Sequence, residues 1–150
     1  MRLTSSAFRD GDEIPAKYTG DVSPPLEWTD VPRQARSLAL IVDDPDAPDP
    51  DAPRSEPWVH WIVIDLPPDR PGLEENVRRL AHGTIGLNDW IRAAWRGPSP
   101  PIGRHRYFFR LYALDTVLEL ARPTRTDVER AMAGHILAEA ALIGTYKKPR

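Results

Sequence analysis

The chain has no cysteine, which excludes disulfides, thiolate metal ligands and a cysteine nucleophile. Glycine is sparse, at 9 of 150 residues, and none of it forms a phosphate-cradling loop or a dinucleotide fingerprint. No apolar run approaches the ~20 residues of a membrane span, so stable membrane insertion is not expected. The first residues, Met1 to Ser6, lack the apolar stretch of a secretory signal; a cytoplasmic protein is the expectation. An excess of one charge is also missing. Lys and Arg number 20 against 22 Asp and Glu, mixed along the chain, so neither nucleic acid nor an anionic lipid surface is indicated. His-Glu-x-x-His is absent as well, and no metal or cofactor is expected.

Proline is what the chain has in excess. Seventeen residues favour short strands and irregular connections over a helical bundle. With 41% hydrophobic residues, residues 1–150 suit a single domain with a buried core.

Three segments read as strong strands. Ser37 to Val42 is a continuous apolar run, consistent with burial on both faces. Pro57 to Leu66 is aromatic and β-branched, stopped by Pro67-Pro68. Its alternation puts Trp58, His60, Ile62 and Ile64 on one side and Val59, Trp61 and Val63 on the other. Arg106 to Leu114 is the third, with His105 in phase with Tyr107, Phe109 and Leu111. Shorter strands are expected over 3–8 and 14–18, a proline-stiffened entry into another short extended piece at Ser23–Trp28, and a helical turn over 73–80. A helix is expected from Thr126, where Thr126-Asp127-Val128-Glu129 fits a capping box. Val128, Met132, Ile136 and Ile143 would form its apolar face, and Gly144 its C-terminal cap. The fold expected is mainly β: an antiparallel β-sandwich with a C-terminal helix.

Directly after the first strand stand two acidic units in tandem, Asp44-Pro-Asp-Ala-Pro48 and Asp49-Pro-Asp-Ala-Pro53. Proline holds such a turn stiff, and carboxylates on a stiff turn at a strand end can rim a polar site. His60, inside an otherwise apolar strand, is either a core imidazole satisfied by the backbone or the floor of a pocket. His105 enters a central strand from a proline-rich loop. If both converge on the acidic turn, carboxylate and imidazole together would bind a phosphoryl or ammonium group. Gly97 to Pro101 suits a rigid wall, and Ser99, between two prolines and outside any Gly-x-Ser-x-Gly elbow, is not expected to be a nucleophile. Trp58, Trp61, Tyr107 and Phe109 read mainly as core.

The chain resembles the phosphatidylethanolamine-binding protein (PEBP) family, in its bacterial and archaeal branch of Raf-kinase-inhibitor-like proteins. The resemblance rests on Ser23-Pro-Pro-Leu-Glu-Trp28, Ser37 through Pro48, Trp58-Val-His-Trp61, Asn88-Asp-Trp90, Gly97-Pro-Ser-Pro-Pro101 and His105-Arg-Tyr107, with Gly134-His-Ile-Leu137 and Ile143-Gly-Thr-Tyr146. They occur in the family's order across nearly the whole chain. The resemblance implies Greek-key connections and a small anion-accepting cavity lined by Asp44, Asp46, His60, Gly97, Ser99, Pro101, His105 and Tyr107. Asp49 and Asp51 then fall in the following loop. Arg96 and Ser99 depart from the small glycine and the cysteine usual in this branch. The function it points to is binding of a small anionic or phosphorylated ligand, phosphoethanolamine-like, without turnover. Two alternatives stand beside it: a kinase or protease inhibitor, and a hydrolase or metalloenzyme using His60, His105 and Asp44. Dimers among prokaryotic relatives, and the many tryptophans, suggest a homodimer.

Overall fold

Three long apolar segments pair as neighbours and set the architecture. The computed structural model describes residues 1–149. The elements in chain order are β1 (Arg2–Thr4), a 3-10 helical turn (Ala16–Tyr18), β2 (Leu26–Thr29), β3 (Ser37–Asp44), β4 (Pro48–Asp49), β5 (Ala52–Pro53), β6 (Trp58–Leu66), β7 (Gly72–Leu73), β8 (Thr84–Ile85), β9 (Arg104–Leu114), α1 (Arg125–Met132) and β10 (Ile136–Lys147). The main sheet is antiparallel, in the order β10-β9-β3-β6-β8. Strands β3, β6 and β8 are successive neighbours, and β9 returns to the open side of β3, which is the Greek-key order. A smaller sheet, β1-β2-β7, covers one face.

β3 is buried along its whole length because both its faces are covered. Leu38, Leu40 and Val42 join Trp61, Val63, Phe109 and Leu111 in the core shared with the smaller sheet. Ala39 and Ile41 join Ile62, Ile64, Val128 and Met132 in a second core under α1. Each large aliphatic side chain so buried contributes on the order of 1.5–3 kcal/mol. β9 alternates as expected, with His105, Tyr107, Phe109, Leu111 and Ala113 buried.

β6 departs from strict alternation. Val42 pairs with Trp61, but Asp43 pairs with Val59, so His60 is an extra residue in a β-bulge. Val59 therefore packs under α1 with Ile62 and Ile64, not beside Trp61 and Val63. The bulge turns the imidazole toward Tyr107 and Trp90, with ring centroids at 5.2 and 5.0 Å.

The C-terminal region corrects the sequence reading in detail. α1 is capped by Thr124, not Thr126: its hydroxyl accepts from the Asp127 N–H, and the Asp127 carboxylate accepts from the Thr124 N–H. The helix buries Val128 and Met132 and ends there. Ile136 and Ile143 are strand residues, since 136–147 pairs with nearly all of β9. Gly144 lies in that strand beneath Ile14 and Phe8. The outer edge of β10 at Ile143–Thr145 is covered by residues 11–14 through backbone bonds. Two further expectations fail where proline and turn geometry intervene. Pro15 starts a 3-10 turn where a strand was expected over 14–18, and 73–80 forms no helical turn beyond β7. Among the described residues no helix is long and apolar enough to cross a membrane.

Candidate ligand-binding cleft

β3 ends on adjacent carboxylates that point to opposite sides of the sheet. Asp43 faces α1 and accepts two bonds from the Arg110 guanidinium, at 2.9 and 3.1 Å. Asp44 faces the other way, into a cleft of about 310 Å³ at one end of the main sheet. That volume sits at the small end of ligand pockets.

Asp44 Oδ1 accepts the Asp46 N–H at 2.8 Å, and Oδ2 lies 2.6 Å from His105 Nδ1. The other nitrogen of His105, Nε2, donates to the Ile102 carbonyl at 2.8 Å. A carbonyl only accepts, so Nε2 carries a hydrogen and one more proton is shared along the Asp44–His105 contact. Burial raises the Asp44 pKa, while the bond from His105 opposes the rise. Tyr107, beside them, is pushed far above the ordinary tyrosine range by burial and by the Asp44 charge. Its hydroxyl is a neutral donor at any working pH.

His60 completes the floor. Its Nδ1 donates to the Arg96 carbonyl at 2.5 Å. Burial holds its pKa down at about 4, with the Arg96 carbonyl opposing. The ring is neutral at pH 7 and Nε2, without a protein partner among the described residues, is an acceptor facing the cleft. Two tryptophans extend this wall. Trp90 meets His60 edge-on, and Trp58 meets Trp90 edge-on at 5.4 Å. Trp90 is held by a knot around Asn88, whose Oδ1 accepts from the Trp90 and Arg92 N–H groups and whose amide donates to the Ala94 carbonyl. Ser99, Pro100 and Pro101 form the opposite wall.

The tandem acidic units adopt the same local turn. Asp49 Oδ1 accepts the Asp51 N–H at 2.9 Å, as Asp44 accepts that of Asp46. The second copy is exposed and makes the β4–β5 hairpin, closed by the Arg54 N–H on the Ala47 carbonyl. The hairpin brings Arg54 to the cleft, with its guanidinium 4.7 Å over the Trp58 ring.

Of the eight residues singled out in the sequence, Asp44, His60, Ser99, Pro101, His105 and Tyr107 line this cleft. Asp46 does not. Its carboxylate is taken by Arg106, through Nε and Nη2 at 2.9 Å and the backbone N–H at 2.8 Å. These bonds hold it well below the usual carboxylate range. Gly97 does not either: it lies against the backbone of Tyr18 and Thr19, where a Cβ has no room. Arg96, which stands in place of the family's small glycine, has its guanidinium 4.5 Å over Trp90. Sequence reasoning passed over Trp58 and Trp90 as site residues, although Trp58 stands two before His60 in the same strand. Arg54 carried no signal at all. Among the described residues no cluster of three His, Asp or Glu is placed to hold a metal ion.

The fold is an antiparallel Greek-key β-sandwich, and its relatives share a family. The sequence pattern of the family described as Phosphatidylethanolamine-binding protein matches residues 4–147, and the chain belongs to that family. It is 53% identical to a UPF0098 protein of Methanothermobacter thermautotrophicus, with 99% of each chain covered. The crystal structure of a PEBP homolog from Chlamydia trachomatis superposes with a TM-score of 0.90 at 44% identity, covering 99% of this chain and 97% of that one. E. coli YbcL, described as a member of the mammalian PEBP family, superposes at 0.86 with 25% identity, covering 99% and 98%.

Proposed function

We propose that the protein binds a small anionic or phosphorylated ligand, of phosphoethanolamine size, and releases it unchanged. The observation that carries this is the convergence of Asp44, His60, His105 and Tyr107, from three different strands, on one cleft with a cationic side chain in its wall. The polar groups are few and fixed, and the rest of the wall is aromatic or proline, as in pre-formed recognition sites. Ser99 lies between Pro98 and Pro100 and outside any Gly-x-Ser-x-Gly elbow, which is not the setting of an activated nucleophile. An ammonium group fits the Asp44 carboxylate, a hydroxyl donor fits His60 Nε2, and phosphoryl oxygens fit the Tyr107 and Ser99 hydroxyls and Arg54.

Calorimetric titration with inorganic phosphate and with phosphoethanolamine tests the reading. Both should release or absorb measurable heat on binding. His60→Ala should weaken binding roughly tenfold, the loss of about one hydrogen bond. Phosphoethanolamine recovered after long incubation should be intact. Silence from both ligands at millimolar concentration overturns the proposal, and liberated phosphate overturns its claim of no turnover.

A further inference from the structure

Anion sites ordinarily present donors, yet the imidazole on the floor of this cleft presents a lone pair. His60 Nδ1 donates to the Arg96 carbonyl, and the carbonyl has no proton to return. That bond fixes the tautomer and leaves Nε2 an acceptor. A phosphoryl dianion, or a sulfate, would set oxygen lone pairs against it. A phosphoryl group that keeps one proton would not, because its P–O–H donates to Nε2. Its other oxygens remain free to accept from Tyr107, Ser99 and Arg54, which line the same cleft.

We propose that the cleft selects the singly protonated, monoanionic form of a phosphomonoester over the dianion and over sulfate, with His60 Nε2 reading the proton. This rests on the anion-binding reading above and goes beyond it by naming the protonation state bound.

The groups around His60 support the same choice. From β3 comes Asp44, whose two oxygens are taken up by the Asp46 N–H and by His105. From β9 come His105, whose two nitrogens are already engaged, and Tyr107. The 88–96 segment contributes Arg96, turned over Trp90, and Asp89, which accepts the Val59 N–H at 2.7 Å and lies 3.9 Å from Arg54. Among the described residues Arg54 is the one Lys or Arg side chain in the cleft wall, a match for one net negative charge. None of these places a fixed donor on Nε2. Burial keeps the His60 ring neutral down to a pKa of about 4. Above that, the ligand's own second ionisation, near about 6 for a phosphomonoester, governs whether it carries the proton.

The test is calorimetry on the full chain with inorganic phosphate, phosphoethanolamine and sulfate, from about pH 5.5 to 8.5 across the phosphoryl ionisation, in buffers of different ionisation enthalpy. Affinity for each phosphate should fall roughly tenfold per pH unit once that ligand's own second ionisation is passed, with close to one proton taken up per ligand bound. Sulfate should bind roughly 10- to 100-fold more weakly than phosphate near pH 6, the penalty of an unpaired buried acceptor. His60→Gln tests whether the imidazole lone pair is the cause. Its amide can turn an N–H into the cleft, so the variant should accept sulfate and flatten the pH profile. The wild-type sulfate and pH measurements stand without the variant should it fold poorly. Affinity that is flat or rises with pH, or sulfate that binds as well as phosphate, overturns the selection and leaves the binding reading intact. No phosphate binding at any pH overturns both.

Discussion

His60 is buried as a neutral ring, which gives the protein an acid-side weakness that equilibrium unfolding can read. Its pKa lies near 4 in the fold, lowered by burial, against about 6.5 in an unfolded chain. Between those values the unfolded chain binds a proton that the folded chain does not. Stability attributable to this residue is therefore complete above about pH 6.5 and declines as pH falls toward 4, by about 3 kcal/mol in all. Asp44 acts in the opposite sense. Burial raises its pKa, so protonating it in acid favours the folded form. Urea titrations of wild type and His60→Gln at pH 7 and pH 4 separate the two. Wild type should lose about 3 kcal/mol more than the variant on acidification. Parallel losses would mean that the ring is not held neutral by its surroundings.

At the level of elements, legibility followed the strength of the apolar pattern. β3 and β6 could be read because each is a run long enough to be buried on both faces, and β9 because its apolar residues recur at every second position. The end of the chain misled. Residues 136–142 are mostly Ala and Leu, good helix formers, yet pairing along β9 decides their conformation. Two threonines could have capped α1, and only Thr124 has an acid three residues on whose side chain returns the bond. In the site, Asp44, His60, His105 and Tyr107 were legible because strands fix where they sit. The bulge that aims His60 leaves no trace in a period-two pattern. Arg54 and Trp90 depend on a hairpin and on the Asn88 knot, which are tertiary facts. The loop that bears Arg96 is fastened in a similar way: the Trp95 indole donates to the Tyr18 carbonyl at 3.3 Å, and the Gly97 N–H to the Gly20 carbonyl at 2.8 Å. A methyl at Gly97 would collide with the Tyr18 carbonyl. Gly97→Ala should therefore destabilise by about 1–3 kcal/mol. It should also weaken phosphate binding, because the Arg96 carbonyl that orients His60 moves with the loop. An unchanged urea midpoint would contradict this close fit.

For the molecule as a whole, the question is how far the mouth of the cleft depends on the body. The tryptophans give no support to a like-subunit interface: Trp28, Trp61 and Trp95 are buried, while Trp58 and Trp90 form the cleft wall. The second acidic unit stands apart from both cores. Its residues from Asp51 to Pro53 are exposed, and Pro50 stands where a side chain at Gly103 would meet it. Removing residues 49–53 should thus leave the sandwich intact, with stability changed by no more than about 1 kcal/mol, since shortening a flexible surface loop has a small entropic effect. Binding should respond differently. The deletion removes two acidic side chains, Asp49 and Asp51, and bulk electrostatics alone would then favour an anion. It also withdraws the support that holds Arg54 over Trp58. If Arg54 is the cationic contact of the ligand, phosphate affinity should fall several-fold to about tenfold despite the more favourable net charge, as expected for loss of a charge-assisted bond. Arg54→Gln in the full chain should give a loss of the same size. Affinity that holds or improves in both variants would show that the tandem hairpin does not serve the cleft.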